Sequence, residues 1–592
     1  MAALCTIREK LYGPAGCPCK GGRSRKVQEA AALDQAVERG LQWLDKNFVW
    51  QREPGRQYTF YEWHFWLQKA ALATGRKYFN SQDWHRTLVP KMLGLRVADG
   101  GWNWQLPTFP MYPFAFLAEA RGHVLVNKLQ FKGQWNNHPS DLAHLMDYLA
   151  QPRKGDAPPK DAPPDQAELL RWQALDLDGA PDDWREAPIL FITPEEVIPL
   201  ADEHKKKLRR FTDAGGTILF EASCGNSGVA AWWERTCGEV WPEWKLKSLE
   251  AGHPLWSAEV KLGARPPLLA LDDGLRTFMF FSRVDVSCQW SLNDTAKNRP
   301  LFDLGRNLYA YSTDTMKLAD WWSARQRGVG AKYADQVKNL RVGPKKTIAV
   351  ARVKYGDGKT SDEWNLGENY QPWQLLAAEL KEKLANPTAK VLWKEPTEIA
   401  LKVLDPVAVG AAVPAETDLL YLCGRTGCDL GEGGAKWLKD YLAGGGFLLA
   451  EAALGDARFE APLKAALSAA NLTVKPMLEA LKEAGLTDNP LLTGKLLKEA
   501  RGYEVGQVEF SPALSSELGA NAAQTPPALW AICDGQRLVG IYSPYDLLFS
   551  QTGCRAWGMR GYSADDARAL ATNLVLHLTG RQARDAAGQA DR

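Results

Sequence analysis

The sequence lacks any apolar run that reaches the roughly 20 residues of a membrane-spanning helix. It also lacks an excess of charge of one sign, because 72 Lys and Arg residues stand against 70 Asp and Glu residues. The resulting net charge of +2 gives no electrostatic basis for binding nucleic acid or an anionic membrane. We therefore expect a soluble protein with no nucleic-acid partner and no membrane insertion.

Cofactor-binding motifs are missing as well. The sequence has no phosphate-binding GxxxxGK(S/T) loop, and its ten cysteines form no CxxC pair with the spacing of a zinc site. We therefore predict neither a metal ion nor an organic cofactor. The N-terminus has no apolar core typical of a signal peptide. The sequence as written indicates a cytoplasmic protein, whereas a true start further upstream would allow export.

Tryptophan, in contrast, is abundant, with 24 residues. Many of them lie in four clusters: YEWHFWLQ (61–68), GGWNWQ (100–105), AAWWERTCGEVWPEW (230–244) and ADWWSA (319–324). Such clusters can stack on sugar rings, but they more often fill cores and domain interfaces. The composition leaves a glycan partner open beside a protein partner.

Apolar runs alternate with helical patterns from residue 121 onwards. The strand-like runs are apolar throughout, which is typical of a mainly parallel sheet covered by helices on both faces. The preceding segment has an apolar stripe at helical spacing, which includes Val37, Leu41 and Leu44. The predicted organisation is 1–26 disordered, 27–120 helical, 121–320 a first α/β domain, 321–345 a linker, 346–580 a second α/β domain and 581–592 a charged tail.

The two α/β domains share six sequence blocks in one order, which indicates an internal duplication. The pairs are HVLVNKLQF (123–131) with TIAVARVKY (347–355), APILFIT (187–193) with TDLLYLC (417–423), KKLRRFTDAGGTILFEASCG (206–225) with AKWLKDYLAGGGFLLAEAALG (435–455), GHPLW (252–256) with DNPLL (488–492), DDGLRTFMFFSRVD (272–285) with CDGQRLVGIYSPYD (533–546), and NLYAYST (307–313) with NLVLHLT (573–579).

On these blocks the duplicated unit resembles a bacterial family, the domain of unknown function four-one-five-nine, over about 122–313 and 346–580. The resemblance implies a flavodoxin-like, Rossmann-like three-layer sandwich similar to class I glutamine amidotransferases. The helical piece resembles part of the α/α toroid of squalene cyclases and prenyltransferases, through AVERGLQWLDKNF, YTFYEWHFWLQKAALATGRKYF and DGGW. Arg96 stands where the toroid's QxxDGxW turn has Gln, and only about three of the toroid's helices are present.

The turn GGTILFEASCG suggests a nucleophile, because Cys224 follows a strand and precedes a glycine. His253 is the only histidine between this turn and the end of the first domain, so it is the candidate base. The amidotransferase signature GxCxGxQ with a later HxE appears here only as SCGNSG and GHPLW. The structural alternative is a buried cysteine beside a His-Pro turn.

Comparison of the two copies shows which candidate site residues differ between them and which are kept. Cys224 aligns with Leu454 and Cys288 with Phe549, so the two cysteines are interpreted as a disulfide or a shared packing site. Acidic residues at the strand ends are kept in both copies and are candidate ligand-binding residues. They are Glu221 and Asp285 in the first copy, and Glu451 and Asp546 in the second. Their structural alternative is to cap helices or tie loops to backbone N–H groups.

The sequence therefore favours a non-catalytic, ligand- or partner-binding tandem α/β protein. One alternative is a cysteine-dependent hydrolase or amidotransferase-like enzyme that uses the first copy only. Another is a carbohydrate-binding protein that uses the tryptophan clusters.

Overall fold

The fold was obtained as a computed structural model. It describes residues 3–5, 7, 25–50, 60–97, 102, 111–118, 122–151, 169–326, 332–356, 363–384, 399–483, 485, 487–497, 500–519, 522 and 526–581. The predictions for 1–26, for 581–592 and for most of GGWNWQ fall largely outside these ranges. The chain divides into a first unit, Met1–Asp272 with Thr277–Trp322, and a second unit, Asp273–Arg276 with Ser323–Arg592.

The helical N-terminal segment belongs to the first unit. Its elements are α1 (Arg25–Asn47), α2 (Phe60–Thr74), a short hairpin of β1 (Tyr78–Phe79) and β2 (Gln82–Asp83), α3 (Trp84–Gly94) and α4 (Met111–Ala118). Leu41 and Leu44 of the predicted stripe are buried in its core. Helix α2 ends at Thr74 and is followed by Gly75, whose φ of 65° is accessible to glycine. The carbonyl of Gly75 accepts a hydrogen bond from Ala174 N at 2.7 Å, so this segment packs on the first sheet.

In the first unit the described strands form a seven-stranded sheet. They are β3 (His123–Gln130), β4 (Leu170–Asp176), β5 (Ile189–Ile192), β6 (Thr217–Glu221), β7 (Lys247–Ser248), β8 (Leu268–Asp272) and β9 (Thr277–Ser282). Their order is β4-β3-β5-β6-β9-β8-β7. The first five strands in this order are mutually parallel, whereas β8 is antiparallel to both of its neighbours. The carboxyl ends of the parallel strands therefore share one edge of the sheet.

Helices cover both faces of this sheet. They are α5 (Asp141–Ala150), α6 (Pro181–Trp184), α7 (Asp202–Asp213), α8 (Ser227–Val240), α9 (Ser287–Leu292) and α10 (Thr295–Thr313). The next helix, α11 (Leu318–Gln326), continues past Trp322, the last residue of the first unit. On one face, Phe211 of α7 and Trp233 of α8 join a core with Phe220 of β6. On the other, Leu145 of α5 packs so tightly on α10 that a Cβ at Gly305 would lie 2.5 Å from it. Burial on both faces explains why the strands are apolar throughout.

The second unit contains a second sheet. Its strands are β10 (Thr347–Lys354), β11 (Ala400–Val403), β12 (Val407–Ala408), β13 (Thr417–Gly424), β14 (Phe447–Ala452), β15 (Thr473–Pro476), β16 (Trp530–Asp534) and β17 (Arg537–Ser543). The order is β11-β10-β13-β14-β17-β16-β15, with β12 also paired to β10. The helices are α12 (Pro372–Leu384), α13 (Gly434–Ala443), α14 (Glu460–Ala469), α15 (Met477–Glu483), α16 (Pro490–Thr493), α17 (Pro512–Leu518), α18 (Leu548–Gln551) and α19 (Ala564–Gly580).

The second sheet repeats the strand directions of the first. Its first five strands in spatial order are parallel, and β16 is antiparallel to its two neighbours. The prediction of an α/β protein with a mainly parallel sheet in each half is thus confirmed. The predicted linker at 321–345 is in part packed, because Tyr333, Leu340 and Val342 are buried in the core of the second unit. Among the described helices, none is both long and apolar enough to cross a membrane.

Candidate functional site

The turn after β6 has a left-handed backbone. Cys224 has φ 55° and ψ 15°, and Gly225 follows with φ 69°. A non-glycine residue in this region is strained and needs support from its surroundings. The corresponding turn of the second unit has the same geometry, with Leu454 at φ 54° and ψ 15° and Gly455 at φ 65°. The backbone form of the turn therefore does not depend on the cysteine.

Asp285 supports this turn in the first unit. Its Oδ2 accepts a hydrogen bond from Cys224 N at 2.7 Å, and its Oδ1 accepts one from Cys288 N at 2.8 Å. In the second unit, Asp546 accepts from Leu454 N at 2.8 Å and from Ser550 N at 2.7 Å. Both aspartates clamp the strand-end turn to the start of the next helix.

Each unit also has a buried glutamate, Glu221 or Glu451, that binds the backbone next to the aspartate. Glu221 is fully buried and accepts hydrogen bonds from Val286 N at 2.8 Å and Ser287 N at 3.0 Å. Glu451 accepts from Leu547 N at 2.6 Å and Leu548 N at 2.8 Å. These bonds fix the backbone that follows each aspartate. The candidate ligand-binding acids thus already bind backbone N–H groups of their own unit.

Burial sets the protonation of these glutamates. Burial, and then the neighbouring Asp285, raise the pKa of Glu221 to about 8, against the hydrogen bonds from Ser287 and Thr193. Burial and Asp546 raise the pKa of Glu451 to about 8 in the same way. The two units therefore repeat the electrostatics of this edge as well as its backbone geometry.

The predicted pair of Cys224 and Cys288 does not form a disulfide. Cys224 is disulfide-bonded, whereas Cys288 is not in a disulfide. The two residues are joined instead through Asp285, which binds the backbone N–H of both. A disulfide-bonded sulfur is not a thiolate nucleophile, so the catalytic role predicted for Cys224 would first require reduction of that bond.

His253 lies at the other end of the sheet from Cys224. Its Nε2 is 3.0 Å from Thr277 Oγ1, and Thr277 is the first residue of β9. The last residue of that strand, Ser282, pairs with Glu221. A strand rises about 3.3 Å per residue, so the two ends of β9 are about 17 Å apart. The structure therefore does not bring His253 together with Cys224.

The role of His253 is structural. Its Nδ1 accepts a hydrogen bond from Leu255 N at 3.1 Å, which caps a short helical turn. Burial lowers its pKa to about 4, which keeps the ring neutral and able to accept this bond. Asn489 takes the same position in the second unit, where its Oδ1 accepts from Leu491 N at 3.0 Å. The shared His/Asn position is thus a helix cap.

The structure brings together three residues that the sequence analysis did not combine. One ligand atom from each of His138, Asp285 and Cys288 lies within 4.8 Å of the others. The side chains of His138 and Cys288 are buried, and Asp285 is half-buried. Burial lowers the pKa of His138 from its ordinary value of 6.5, with Asp285 opposing the shift. The imidazole is therefore neutral at neutral pH.

The loop that carries His138 follows β3, the strand from which the chain turns to either side of the sheet. Such switch points are where open α/β sheets bind ligands. The fully buried Lys128 holds this loop, since its Nζ donates to His138 O at 3.3 Å and Asn136 Oδ1 at 2.8 Å. Asn137 in turn donates to Ser223 Oγ at 3.2 Å in the turn after β6. The cluster therefore has a fixed frame.

The second unit fills the same edge with apolar side chains. Leu454 and Phe549 lie in one buried cluster with Met559 and Tyr370. The rings of Tyr370 and Phe549 pack edge to face, with centroids 4.8 Å apart. The residues that replace Cys224 and Cys288 thus form a small core in the second unit.

The tryptophan clusters contribute mainly to packing. Trp233, Trp241 and Trp321 are buried, and Trp233 stacks on Phe220 at 4.2 Å. Trp66 of α2 is the exception within its cluster, with 55% of its side chain exposed. Trp233, Trp241 and Trp321 are therefore not available as sugar platforms, whereas Trp66 and Trp322 are exposed.

The family described as Domain of unknown function (DUF4159) matches residues 123–343, which span the first sheet, its helices and the segment after them. A search among curated proteins found no relative that matches the chain. The matched region contains His138, Asp285 and Cys288, but the family description assigns no activity to it.

Proposed function

We propose that this chain is a non-catalytic tandem binding protein, in which only the first of two related α/β units carries a ligand site. Tandem duplication is supported by the matching order of seven strands in the two sheets and by matching turns at Cys224 and Leu454. It is also supported by Asn307 and Asn573, each of which donates from Nδ2 to two backbone carbonyl groups of its own unit.

The proposed architecture is flavodoxin-like. Numbered within one unit, the parallel strands follow the order 2-1-3-4-5, which is the flavodoxin-like order. Two further strands extend the sheet beyond the last of these, and the first of the two is antiparallel to both of its neighbours. This order is compatible with the similarity to class I glutamine amidotransferases, and helices α1 to α4 are compatible with a partial α/α toroid. Fold similarity carries no activity by itself.

The observation that carries the proposal is the contrast between the two sheet edges. In the first unit, Cys288 and His138 lie at the carboxyl edge of the sheet, and both side chains are of types that can bind a metal ion. In the second unit, the apolar side chains of Leu454 and Phe549 fill the corresponding edge. A purely structural role for this edge would be served equally well by apolar packing in both units. We therefore assign the ligand site to the first unit.

The bonding and the positions of the candidate catalytic residues support a non-catalytic role. Cys224 is disulfide-bonded, and His253 caps a turn near the amino end of β9. Glu221 is committed to backbone N–H groups. A catalytic acid or base must reach the proton that it transfers, and none of these groups is placed to do so.

The test is ligand-induced stabilisation of the full chain. Thermal unfolding is measured with divalent metal ions, amino acids including glutamine, nucleotides and oligosaccharides. We expect at least one class to raise the Tm, with the rise lost in Asp285→Asn and kept in the matched variant Asp546→Asn. No rise in Tm with any class, or a rise that depends only on Asp546, would contradict the proposal.

The two alternatives predict other results. Release of ammonia from glutamine would support the enzyme alternative. A rise in Tm that is confined to oligosaccharides and lost in Trp66→Ala would support the carbohydrate alternative.

A further inference from the structure

We propose that His138, Asp285 and Cys288 form a three-ligand site for a thiophilic divalent metal ion, with zinc the expected occupant. This inference rests on the proposed function only in placing the ligand in the first unit. Within the described residues, this is the one group of three metal-ligating side chains that converge in this way. The residues come from two segments far apart in sequence, and the fold alone brings them together.

The spacing of the cluster suits a small ion. Tetrahedral zinc has bonds of about 2.0–2.3 Å to nitrogen, oxygen and sulfur, so its ligand atoms lie roughly 3.2–3.8 Å from one another. His138 Nε2 and Asp285 Oδ2 are 3.8 Å apart, and all three ligand atoms lie within 4.8 Å. Shifts of about 1 Å or less would bring the set to the bonding geometry of zinc.

The ligands are oriented by a second layer of hydrogen bonds. Ser287 Oγ lies 3.1 Å from His138 Nδ1 and also binds Glu221, which leaves Nε2 directed toward Asp285. Metal-binding histidines almost always use their other ring nitrogen in this way. The carboxylate of Asp285 is fixed by two backbone N–H groups, one of which belongs to Cys288. The geometry is therefore held before an ion arrives.

The donor types select the ion. One sulfur, one imidazole nitrogen and one carboxylate oxygen suit zinc, whereas Mg²⁺ and Ca²⁺ require sets of oxygen ligands. Three protein ligands leave the fourth tetrahedral position for water or another molecule. The second unit offers no such set among its described residues, because Phe549 stands at the position of Cys288.

The experiment uses cobalt as a spectroscopic substitute for zinc in the chelator-treated full chain, without reductant so that the Cys224 disulfide stays intact. We expect one equivalent of Co²⁺ to bind, with a thiolate-to-cobalt charge-transfer band that zinc abolishes by displacement. Cys288→Ser and His138→Gln should each lose the band. Cys237→Ser is the matched control, because Cys237 is also buried in the first unit but lies outside the cluster, and it should keep the band.

A second variant guards against misfolding as the cause of a lost band. Ser287→Ala removes an orienting hydroxyl and no ligand, so we expect it to fold and to bind metal about 10- to 100-fold more weakly. Far-UV circular dichroism of each metal-free variant checks the fold. A cobalt spectrum without a thiolate band, or a band that survives Cys288→Ser, would overturn the inference.

The outcomes separate this inference from the proposed function. If cobalt does not bind but another ligand still stabilises the chain through Asp285, the metal site is wrong and the binding function stands. If cobalt binds through Cys288 but the metal-loaded chain releases ammonia from glutamine, the metal site stands and the non-catalytic function is wrong.

Discussion

The backbone N–H of Cys224 donates to Oδ2 of Asp285 over 2.7 Å, although the two residues are 61 positions apart in the chain. Leu454 and Asp546 form the same bond over 2.8 Å in the second unit. The bond needs no particular side chain at the first residue, because its donor is the backbone. What the two units share is therefore a clamp on a strained turn, and the side chain that the turn presents is free to differ.

The disulfide at Cys224 gives the first prediction. In the native, non-reduced protein we expect no alkylation of Cys224 at any pH, because the thiolate is the reactive species and a disulfide has none. Reduction should lower the free energy of unfolding by about 2–4 kcal/mol, the usual contribution of a disulfide. Mass spectrometry after iodoacetamide treatment and chemical denaturation, each with and without reductant, measure the two effects.

The matched control is Cys224→Ala, which should have the lowered stability from the outset and should not respond to reductant. Rapid alkylation of Cys224 in the non-reduced protein, with a midpoint below the ordinary cysteine pKa of about 8.5, would instead restore the nucleophile hypothesis.

The second prediction compares the glycines that follow the two turns. Gly225 and Gly455 both have positive φ, so alanine at either position costs about 1–2 kcal/mol in backbone strain. A Cβ at Gly225 would meet nothing closer than Arg283 O at 3.8 Å, whereas one at Gly455 would lie 2.0 Å from Arg560 O. Gly455→Ala should therefore be more destabilising than Gly225→Ala by a further ~1–3 kcal/mol. Equal losses in urea denaturation would contradict the close approach at Gly455.

The third prediction concerns pH. Because burial raises the pKa of Glu451 from 4.5 to about 8, the folded protein holds a proton in this range that the unfolded chain has released. Stability must then fall as pH rises from about 4.5 to about 8, since the folded state binds more protons than the unfolded state there. Denaturation at several pH values in this window measures the slope.

Glu451→Gln should reduce that slope and leave the fold intact. Its side-chain oxygen still accepts from Leu547 and Leu548, and its amide can donate to the Tyr421 hydroxyl that now bonds to Oε2. Glu432→Gln, at an exposed position, is the control and should leave the slope unchanged. A slope that is unaffected by Glu451→Gln would show that this carboxyl is ionised throughout the range.

The sequence predicted the elements better than the site, and the reason is physical. Apolar runs such as ILFI and TILFE, together with GG and positive-φ turns, are local signals of parallel strands and their ends. The position of His253 depends instead on a long loop, which Asn307 ties down through four hydrogen bonds to residues 255–260. No local pattern shows that this loop runs back to the amino end of β9.

The metal-ligand cluster was missed for a similar reason. In the sequence, Asp285 and Cys288 form a D-x-x-C pattern, and no local signal links this pattern to His138. His138 follows β3 and Asp285 follows β9, and both loops lie at the carboxyl edge once the sheet is parallel. The sequence signal for this cluster is thus a histidine after one strand and a D-x-x-C pattern after another strand of the same predicted sheet. The two segments are far apart in the chain.

The last prediction concerns Lys128, which connects the stability of the first unit to its site. Lys128 and Asp141 are fully buried, and Lys128 Nζ lies 2.7 Å from Asp141 Oδ2. Lys128→Met should cost about 3–5 kcal/mol, because it leaves a buried carboxylate without its partner. Lys128→Met/Asp141→Leu should recover part of this loss by removing that charge.

The matched position in the second unit is Arg352, whose partner Glu368 is 43% exposed. Arg352→Met should therefore cost less stability than Lys128→Met, because water can solvate the carboxylate that is left behind.

The double variant also tests the loop that carries His138. It restores part of the stability but not the bonds from Lys128 to Asn136 and His138 O, so the loop loses its anchor although the buried charge has been removed. We therefore expect Lys128→Met/Asp141→Leu to bind cobalt more weakly than the wild-type chain even at a temperature where both are fully folded. Unchanged cobalt affinity in this variant would mean that the loop is positioned by Asn137 and its neighbours and not by the buried lysine.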